Sequence, residues 1–126
     1  MMNIEEKLRE LLIPVFGLTT ADEVQPQHSL VKDLGATSID FVEISYIVES
    51  NFGVTIKTNE LMIGGTAVNP DDIFLDGILT AQGAEMLNKS MNNGKFQEGQ
   101  TRRELYESIT VADLAHIIEV KKTQNN

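Results

Sequence analysis

The sequence contains no cysteine, no tryptophan and only two histidines. Without cysteine the chain can form neither a disulfide nor a thiolate metal site, and it has no thiol nucleophile of its own. Any thiol chemistry must therefore come from an attached group. His28 and His116 lie far apart, and there is no His-Glu-x-x-His motif, phosphate-binding glycine-rich loop or Gly-x-Ser-x-Gly elbow. We expect neither a catalytic constellation nor a metal site.

Basic residues are few and long apolar runs are missing. Ten Lys and Arg stand against nineteen Asp and Glu, which gives a formal net charge of −9. Phosphate backbones and anionic membranes repel such a protein, so we expect no nucleic-acid partner. No run approaches the roughly 18 apolar residues of a membrane span, and no signal peptide is evident, so we expect a soluble, cytoplasmic protein. The acidity serves either solubility alone or docking to basic patches on partner proteins.

The length and the apolar content fit one modest core. With 126 residues, 41% of them hydrophobic, we expect a single domain over residues 1–126 and a monomer. Asn3 suits an N-cap, and the apolar residues at helical spacing after it predict a first helix that tightens at Pro14 and ends at Gly17. A long loop follows to Gly35, and we expect Val24, Leu30, Val31 and Leu34 to anchor it to the core. A second helix is predicted from Ser38 to Phe52, with Gly53 after its end.

The region between Leu61 and Thr110 is less regular. Asp76-Gly77 between short apolar arms predicts a β-hairpin, and Thr80 can cap a helix reaching about Met91. Thr110-Val111-Ala112-Asp113 is a capping-box pattern that predicts the last helix, with a frayed polar tail from Lys121. The apolar residues of this region are too many for a passive linker, and we expect them to pack back on the bundle: Ile73, Phe74, Leu75, Ile78, Leu79, Met86 and Leu87.

The most informative stretch is residues 33–44, Asp-Leu-Gly-Ala-Thr-Ser-Ile-Asp-Phe-Val-Glu-Ile. It resembles the attachment motif of acyl carrier proteins, in which Asp-Leu-Gly precedes a modified serine and an aliphatic residue opening the second helix. That serine is Ser38 here. The resemblance continues in the first helix, the long loop and the closing helix. Two departures are Thr37, where the family usually has aspartate, so that one carboxylate beside the acceptor serine is missing, and Ile39, where leucine is commoner.

The position of Ser38 suits such a role. The first residue of a helix has free backbone N–H groups beside it, and the helix dipole favours a phosphodiester there. The alternative is that Ser38 is only an N-cap, which is a common position for a serine before an apolar run. Ser29, Ser45 and Ser50 are poorer candidates, because Ser45 and Ser50 lie within the second helix and no helix starts just after Ser29.

The resemblance implies a fold and a function. The fold is all-α, an acyl-carrier-like four-helix bundle with a hairpin and helix inserted at about residues 62–109. The function is to hold acyl chains as thioesters on 4′-phosphopantetheine bound covalently to Ser38, without enzymatic activity. The implied partners are a phosphopantetheinyl transferase and acyl-loading and acyltransferase enzymes with basic docking patches. The acidic residues expected to face those enzymes are Asp33, Asp40, Glu43 and Glu49.

The cargo and the pathway remain open at this point. Fatty acid or other lipid biosynthesis is the first hypothesis, and the insertion favours a specialised carrier for long or modified chains, including those of lipopolysaccharide lipid. The resemblance also implies that the first carbons of a chain lie between the helices. Two roles are open for the insertion, which either extends that pocket or only enlarges the core. The alternatives are an aminoacyl or peptidyl carrier, and a helical interaction module that carries no modification.

Overall fold

The structure is a computed structural model that describes residues 3–57, 70–91 and 94–124. These residues form an all-α fold with one small hairpin, which confirms the predicted class. The helices are α1 (Ile4–Val15), α2 (Ser38–Phe52), α3 (Pro70–Ile73), α4 (Ala81–Met91), α5 (Arg102–Glu107) and α6 (Val111–Gln124). The hairpin consists of β1 (Phe74–Leu75) and β2 (Ile78–Leu79), and a 3₁₀ turn covers Ala21–Glu23. The sequence from Val54 to Leu61 predicts a connection that enters a short helical turn, and its part from residue 58 onward lies outside the described residues.

Helix α1 begins and ends as its sequence predicts. The Asn3 side chain accepts a hydrogen bond from the Glu6 N–H at 2.8 Å, which satisfies one of the free donors of the first turn. Pro14 lies in the last turn, where the Gly17 N–H donates to the Pro14 carbonyl at 3.4 Å and tightens the helix end. Leu8 and Leu12 lie on one face of the helix and are fully buried.

Hydrogen bonds and buried side chains hold the long loop after α1 near both of its ends. Near its start, the Arg9 guanidinium donates to the carbonyls of Val24 and Ala21 at 2.5 and 2.9 Å. Val24 is fully buried beside this contact. Near its end, Leu30 is fully buried, and Val31 and Leu34 pack against the core, as predicted. The loop therefore has a defined path to the start of α2.

Helices α1, α2 and α6 pack against one another around the core. The predicted capping box opens α6, because the Asp113 N–H donates to Thr110 Oγ1 at 3.1 Å and the Thr110 N–H donates to Asp113 Oδ2 at 3.0 Å. The prediction of a tail frayed from Lys121 is wrong, since α6 continues to Gln124. Lys121 and Lys122 lie in its last turn, where positive charge complements the helix dipole.

The predicted hairpin is present. Phe74 pairs with Leu79 and Leu75 with Ile78, and Asp76 and Gly77 between them have φ of 55° and 79°, as a type I′ turn requires. Successive side chains of a strand point to opposite faces, so the hairpin buries only one of its two pairs. Phe74 and Leu79 are buried, whereas Leu75 and Ile78 are 68% and 45% exposed. The expectation that all the apolar residues pack back is wrong for Leu75 and Ile78.

Helix α4 packs closely on α3. Thr80 caps it, as predicted, because Thr80 Oγ1 accepts from the Gly83 N–H at 3.0 Å. A Cβ atom on Gly83 would lie 2.4 Å from the Ile73 carbonyl oxygen, closer than real Cβ contacts. Ile73, Phe74, Leu79, Ala84 and Leu87 join the same hydrophobic cluster as the residues of α1, α2 and α6.

Helix α5 was not predicted. Thr101 caps it by accepting from the Glu104 N–H at 3.1 Å, and Leu105 is fully buried. Only Leu105 and Tyr106 are apolar among its six residues, which is too little for a periodic pattern.

The close approach at Gly83 gives a test of the fold. We expect Gly83→Ala to lower the free energy of unfolding by about 1–3 kcal/mol, because the added methyl group meets Ile73 backbone atoms that cannot move freely. The measurement is urea unfolding followed by circular dichroism. Gly94→Ala is the matched control, since a Cβ there meets nothing within 4 Å. Equal stability of the two variants would contradict this packing.

Candidate functional site

Ser38 is the first residue of α2 and is exposed to solvent. Thr37 before it is the N-cap: the Asp40 N–H donates to Thr37 Oγ1 at 3.4 Å, and the Thr37 N–H donates to Asp40 Oδ2 at 2.9 Å. This reciprocal pair is a capping box. The alternative in which Ser38 is itself the N-cap is therefore wrong, because Thr37 already has that role. The Ser38 hydroxyl is not needed to begin the helix.

The Asp-Leu-Gly segment has a structural role in bringing the chain to Ser38. Asp33 Oδ2 accepts from the Ser29 N–H at 2.7 Å, and the Leu34 N–H donates to the Ser29 carbonyl at 3.1 Å. Gly35 follows with φ of 74°, a left-handed conformation that favours glycine. The Ala36 N–H then donates to the Leu30 carbonyl at 2.8 Å. These bonds close a compact turn immediately before the N-cap.

The other serines considered from the sequence do not combine exposure with a helix start. Ser29 is 6% exposed, and its hydroxyl donates to the Glu107 carbonyl at 2.6 Å. Ser45 Oγ is inaccessible to solvent and has no hydrogen-bond partner among the described residues. Ser50 is exposed but lies near the end of α2. Of these four serines, Ser38 alone is exposed at the first residue of a helix.

The four predicted acidic docking residues differ in their surroundings. Glu43 and Glu49 are exposed on α2. Asp40 is half-buried, and its carboxylate accepts from both the N–H and the hydroxyl of Thr37. Asp33 is exposed, but it lies in the preceding loop and binds the Ser29 N–H. The structure thus brings Asp40, Glu43 and Glu49 onto the helix that begins with Ser38, and gives Asp40 and Asp33 structural contacts as well.

An apolar stripe on α2 was missed from the sequence. Ile39, Val42 and Tyr46 are 77%, 59% and 71% exposed, although they share a helix with the buried Phe41, Ile44, Val48 and Phe52. Their i, i+3, i+7 spacing places them on one face, close to Ser38. One signal in the sequence could have revealed this stripe: α2 has more apolar residues than a single buried face can accommodate.

An aromatic contact links the first turn of α2 to α5. The ring centroids of Phe41 and Tyr106 are 5.2 Å apart, and the ring planes are inclined by 43°. Burial, and in smaller part the charge of Asp40, raises the pKa of the Tyr106 phenol. Tyr106 therefore lies near both Phe41 and Asp40.

The comparisons with known proteins agree with this geometry. Residues 6–69 match the family described as the phosphopantetheine attachment site, a segment that includes Ser38. The acyl carrier protein of Nitratidesulfovibrio vulgaris strain DP4 is 39% identical over 59 residues, which cover 47% of this chain and 76% of that protein. The acyl carrier protein of the Miyazaki F strain is 37% identical over the same shares of both chains. No solved structure matches the chain.

The chain therefore belongs to the phosphopantetheine attachment site family. Within it, the chain groups with the acyl carrier proteins, which are carriers rather than enzymes. The group that such a protein holds is phosphopantetheine. None of the helices in residues 3–57, 70–91 and 94–124 is long and apolar enough to cross a membrane.

The residues at the start of α2 fit that group. A phosphodiester at the first helical residue lies beside backbone N–H groups that have no partner within the helix and at the positive end of the dipole. The exposure of Ser38 leaves its hydroxyl open to another protein. The capping box between Thr37 and Asp40 holds the backbone in place without using that hydroxyl.

Replacing the N-cap tests how the site is held. We expect Thr37→Ala to lower the free energy of unfolding by about 1 kcal/mol, because it removes the side-chain oxygen that accepts from the Asp40 N–H. Thr37→Asp keeps an acceptor at this position and is the control, with stability close to that of the parent. Thermal unfolding of the three proteins is the measurement. A loss in the aspartate variant as large as that in the alanine variant would show that capping is not the role of Thr37.

Proposed function

We propose that Ser38 carries 4′-phosphopantetheine, and that the protein holds acyl chains as thioesters on this arm and presents them to lipid or fatty acid biosynthetic enzymes in the cytoplasm. The observation that carries the proposal is an exposed serine at the first position of α2, within the segment that matches the attachment family. Phosphopantetheine supplies the thiol that a chain without cysteine lacks.

The attachment needs one partner enzyme. A phosphopantetheinyl transferase would transfer the arm from coenzyme A. Ser38 Oγ would lose its proton and form a bond with the phosphorus that bears pantetheine. The bond from that phosphorus to the bridging oxygen of the pyrophosphate would break, and adenosine 3′,5′-bisphosphate would leave. The contribution of this chain is positional. Thr37 and Asp40 fix the first turn, and its backbone N–H groups face the position of the new phosphodiester.

Docking to acyl-loading enzymes and acyltransferases is proposed for the outer face of α2. The apolar stripe Ile39, Val42 and Tyr46 offers contact area beside Ser38, and Glu43 and Glu49 lie on the same exposed side. Carboxylates raise the rate at which a partner with a basic patch associates, while apolar residues give area that can be buried. Asp40 and Asp33 add negative charge near the arm, in addition to their structural bonds.

We further propose a single acyl carrier domain over residues 1–126, with about residues 62–109 as an insertion, acting as a monomer. The hydrophobic cluster supports one domain, because Ile73, Phe74, Leu79 and Leu87 share it with α1, α2 and α6. An insertion of this size favours a specialised carrier of long or modified acyl chains, such as those of lipopolysaccharide lipid. The alternatives are an aminoacyl or peptidyl carrier, which would also accept the arm, and an unmodified interaction module, which would not.

The first test addresses the attachment site. We expect Ser38→Ala to fold like the parent and to gain no mass with coenzyme A and a phosphopantetheinyl transferase, because the acceptor oxygen is gone while Thr37 still caps α2. Intact-protein mass spectrometry measures this, and Ser50→Ala is the control because Ser50 is an exposed serine of the same helix. Mass gain by the Ser38 variant would place the site elsewhere. No gain by the parent with several transferases would favour the interaction module.

The second test addresses docking. We expect Glu43→Lys to slow acyl loading by about tenfold at low salt, through the association rate, with a smaller effect at high salt because salt screens exposed charges. Stopped-flow or steady-state loading assays at several salt concentrations measure it. Glu85→Lys on α4 is the control, since it changes the net charge equally at another exposed position. An effect that is the same at all salt concentrations, or equal in both variants, would contradict steering by α2.

A further inference from the structure

The outer face of the hairpin leaves two large apolar side chains in water. Leu75 and Ile78 are 68% and 45% exposed, and they are paired directly across the two strands. Opposed side chains of an antiparallel pair have Cβ atoms about 5 Å apart, so the two form one continuous apolar surface. Thr101 pairs with Ile78 on its other side and is also exposed. We call Leu75, Ile78 and Thr101 the hairpin face.

The backbone under the hairpin face is bonded to the rest of the fold. The Leu79 N–H donates to the Gln100 carbonyl at 2.8 Å, and the Gly99 N–H donates to the Leu79 carbonyl at 2.9 Å. These bonds attach β2 to the segment that precedes α5. The Leu79 side chain, on the opposite face of the hairpin, is buried in the core. A partner that binds the hairpin face therefore meets an ordered backbone, which lowers the entropic cost of binding.

An exposed arginine adjoins the hairpin face. Arg102 follows Thr101 in the chain, and its guanidinium lies 4.8 Å from the centroid of the Phe74 ring. Stacking on a ring occupies one face of the guanidinium and leaves the N–H groups at its edge for hydrogen bonds. Among the residues that the structure describes, Arg102 has neither a hydrogen bond nor an ion pair. Arg103 beside it differs, since its guanidinium pairs with Glu107 at 3.0 Å.

An apolar surface beside an oriented guanidinium matches a partner that offers an apolar side chain next to a carboxylate. A carboxylate can accept two parallel hydrogen bonds from the N–H groups of one arginine. The match is local, because Asp76 and Glu104 near the hairpin face are acidic and exposed, and the net charge of −9 repels anions at longer range. The same charges disfavour a broad anionic surface such as a lipid membrane. A protein segment with one well-placed carboxylate fits these constraints better.

We propose that the hairpin face and Arg102 form a docking surface for a segment of another protein, one that carries a carboxylate close to an apolar side chain. This surface belongs to the region proposed as an insertion. It selects an acidic partner segment, whereas the outer face of α2 is proposed to select basic ones. The inference goes beyond the proposed function and does not depend on an arm at Ser38, so the unmodified protein serves for its test.

Two peptides of opposite charge separate the two faces. The probes are acetyl-Leu-Glu-Leu-Glu-Leu-amide and acetyl-Leu-Lys-Leu-Lys-Leu-amide, which present the same apolar residues. Each is titrated into the full-length protein labelled with nitrogen-15, and the amide signals are followed by NMR. We expect the acidic peptide to shift the signals of residues 74–79 and 100–103, and the basic peptide to shift those of residues 39–49.

Substitutions then test the role of the arginine. We expect Arg102→Gln to weaken binding of the acidic peptide about fivefold, because an exposed charge pair is lost. Arg103→Gln is the matched control: it removes the same charge one residue away, from a guanidinium that is already paired, and should bind the peptide like the parent. Equal losses in the two variants would show that only net charge matters and would overturn the proposal. An equal response of the hairpin to both peptides, or none to the acidic one, would also overturn it.

Two further measurements address other occupants of the hairpin face. Analytical ultracentrifugation of the parent and of Leu75→Ser tests for a second copy of the chain, and flotation with phosphatidylglycerol vesicles tests for a lipid surface. A parent that stays monomeric and does not float supports the proposal. Self-association or vesicle binding that Leu75→Ser abolishes would assign the face to that occupant and overturn it. The peptide titrations use the parent, so they decide even if a variant does not fold.

Discussion

The loop that leads to Ser38 is held by hydrogen bonds to the junction of α5 and α6. Ser29 Oγ donates to the Glu107 carbonyl, the Leu30 N–H donates to the Ile109 carbonyl at 3.0 Å, and the Val111 N–H donates to the His28 carbonyl at 3.0 Å. These bonds join segments about eighty residues apart in the sequence. They fix the loop that leads to Ser38 and, at the same time, the helix that holds Tyr106.

Ser29 shows why a buried polar group can be central to such a small protein. Its hydroxyl donates to Glu107 and accepts from the Lys32 N–H at 3.0 Å, and its own N–H is bound by Asp33. A buried hydroxyl is tolerated when its hydrogen bonds are satisfied, and it then defines one arrangement of the chain. The same few atoms therefore set the turn before α2 and the docking of α5 beside it.

The sequence predicted the elements whose signals are local. The Asp76-Gly77 turn, the Thr110 to Asp113 capping box and the Asn3 cap each depend on neighbouring residues, and the structure contains all three. The start of α2 at Ser38 was likewise predictable. Helix α5 was not, because six residues are too few for periodicity and its position depends on bonds to the distant loop.

The candidate site was predictable only in part. The sequence indicated Ser38 and the acidic residues of α2, but it could not show that Thr37 and Asp40 cap each other or that Ile39, Val42 and Tyr46 face water. Those properties depend on which face of α2 meets α1 and α6, and a helix that is apolar on both sides does not reveal this choice. The contact of Phe41 with Tyr106 spans two elements far apart in sequence and had no local signal.

The exposed stripe on α2 also bears on how the protein behaves in concentrated solution. Three neighbouring apolar side chains in water are a surface on which two copies of the chain could associate. A net charge of −9 opposes that association, because identical molecules repel one another most strongly when they are far from their isoelectric point. The acidity thus favours solubility, beside the part in recognition that is proposed for it. The negative charge lets the apolar stripe stay exposed to solvent. It repels a second copy of the same acidic protein and attracts a basic partner.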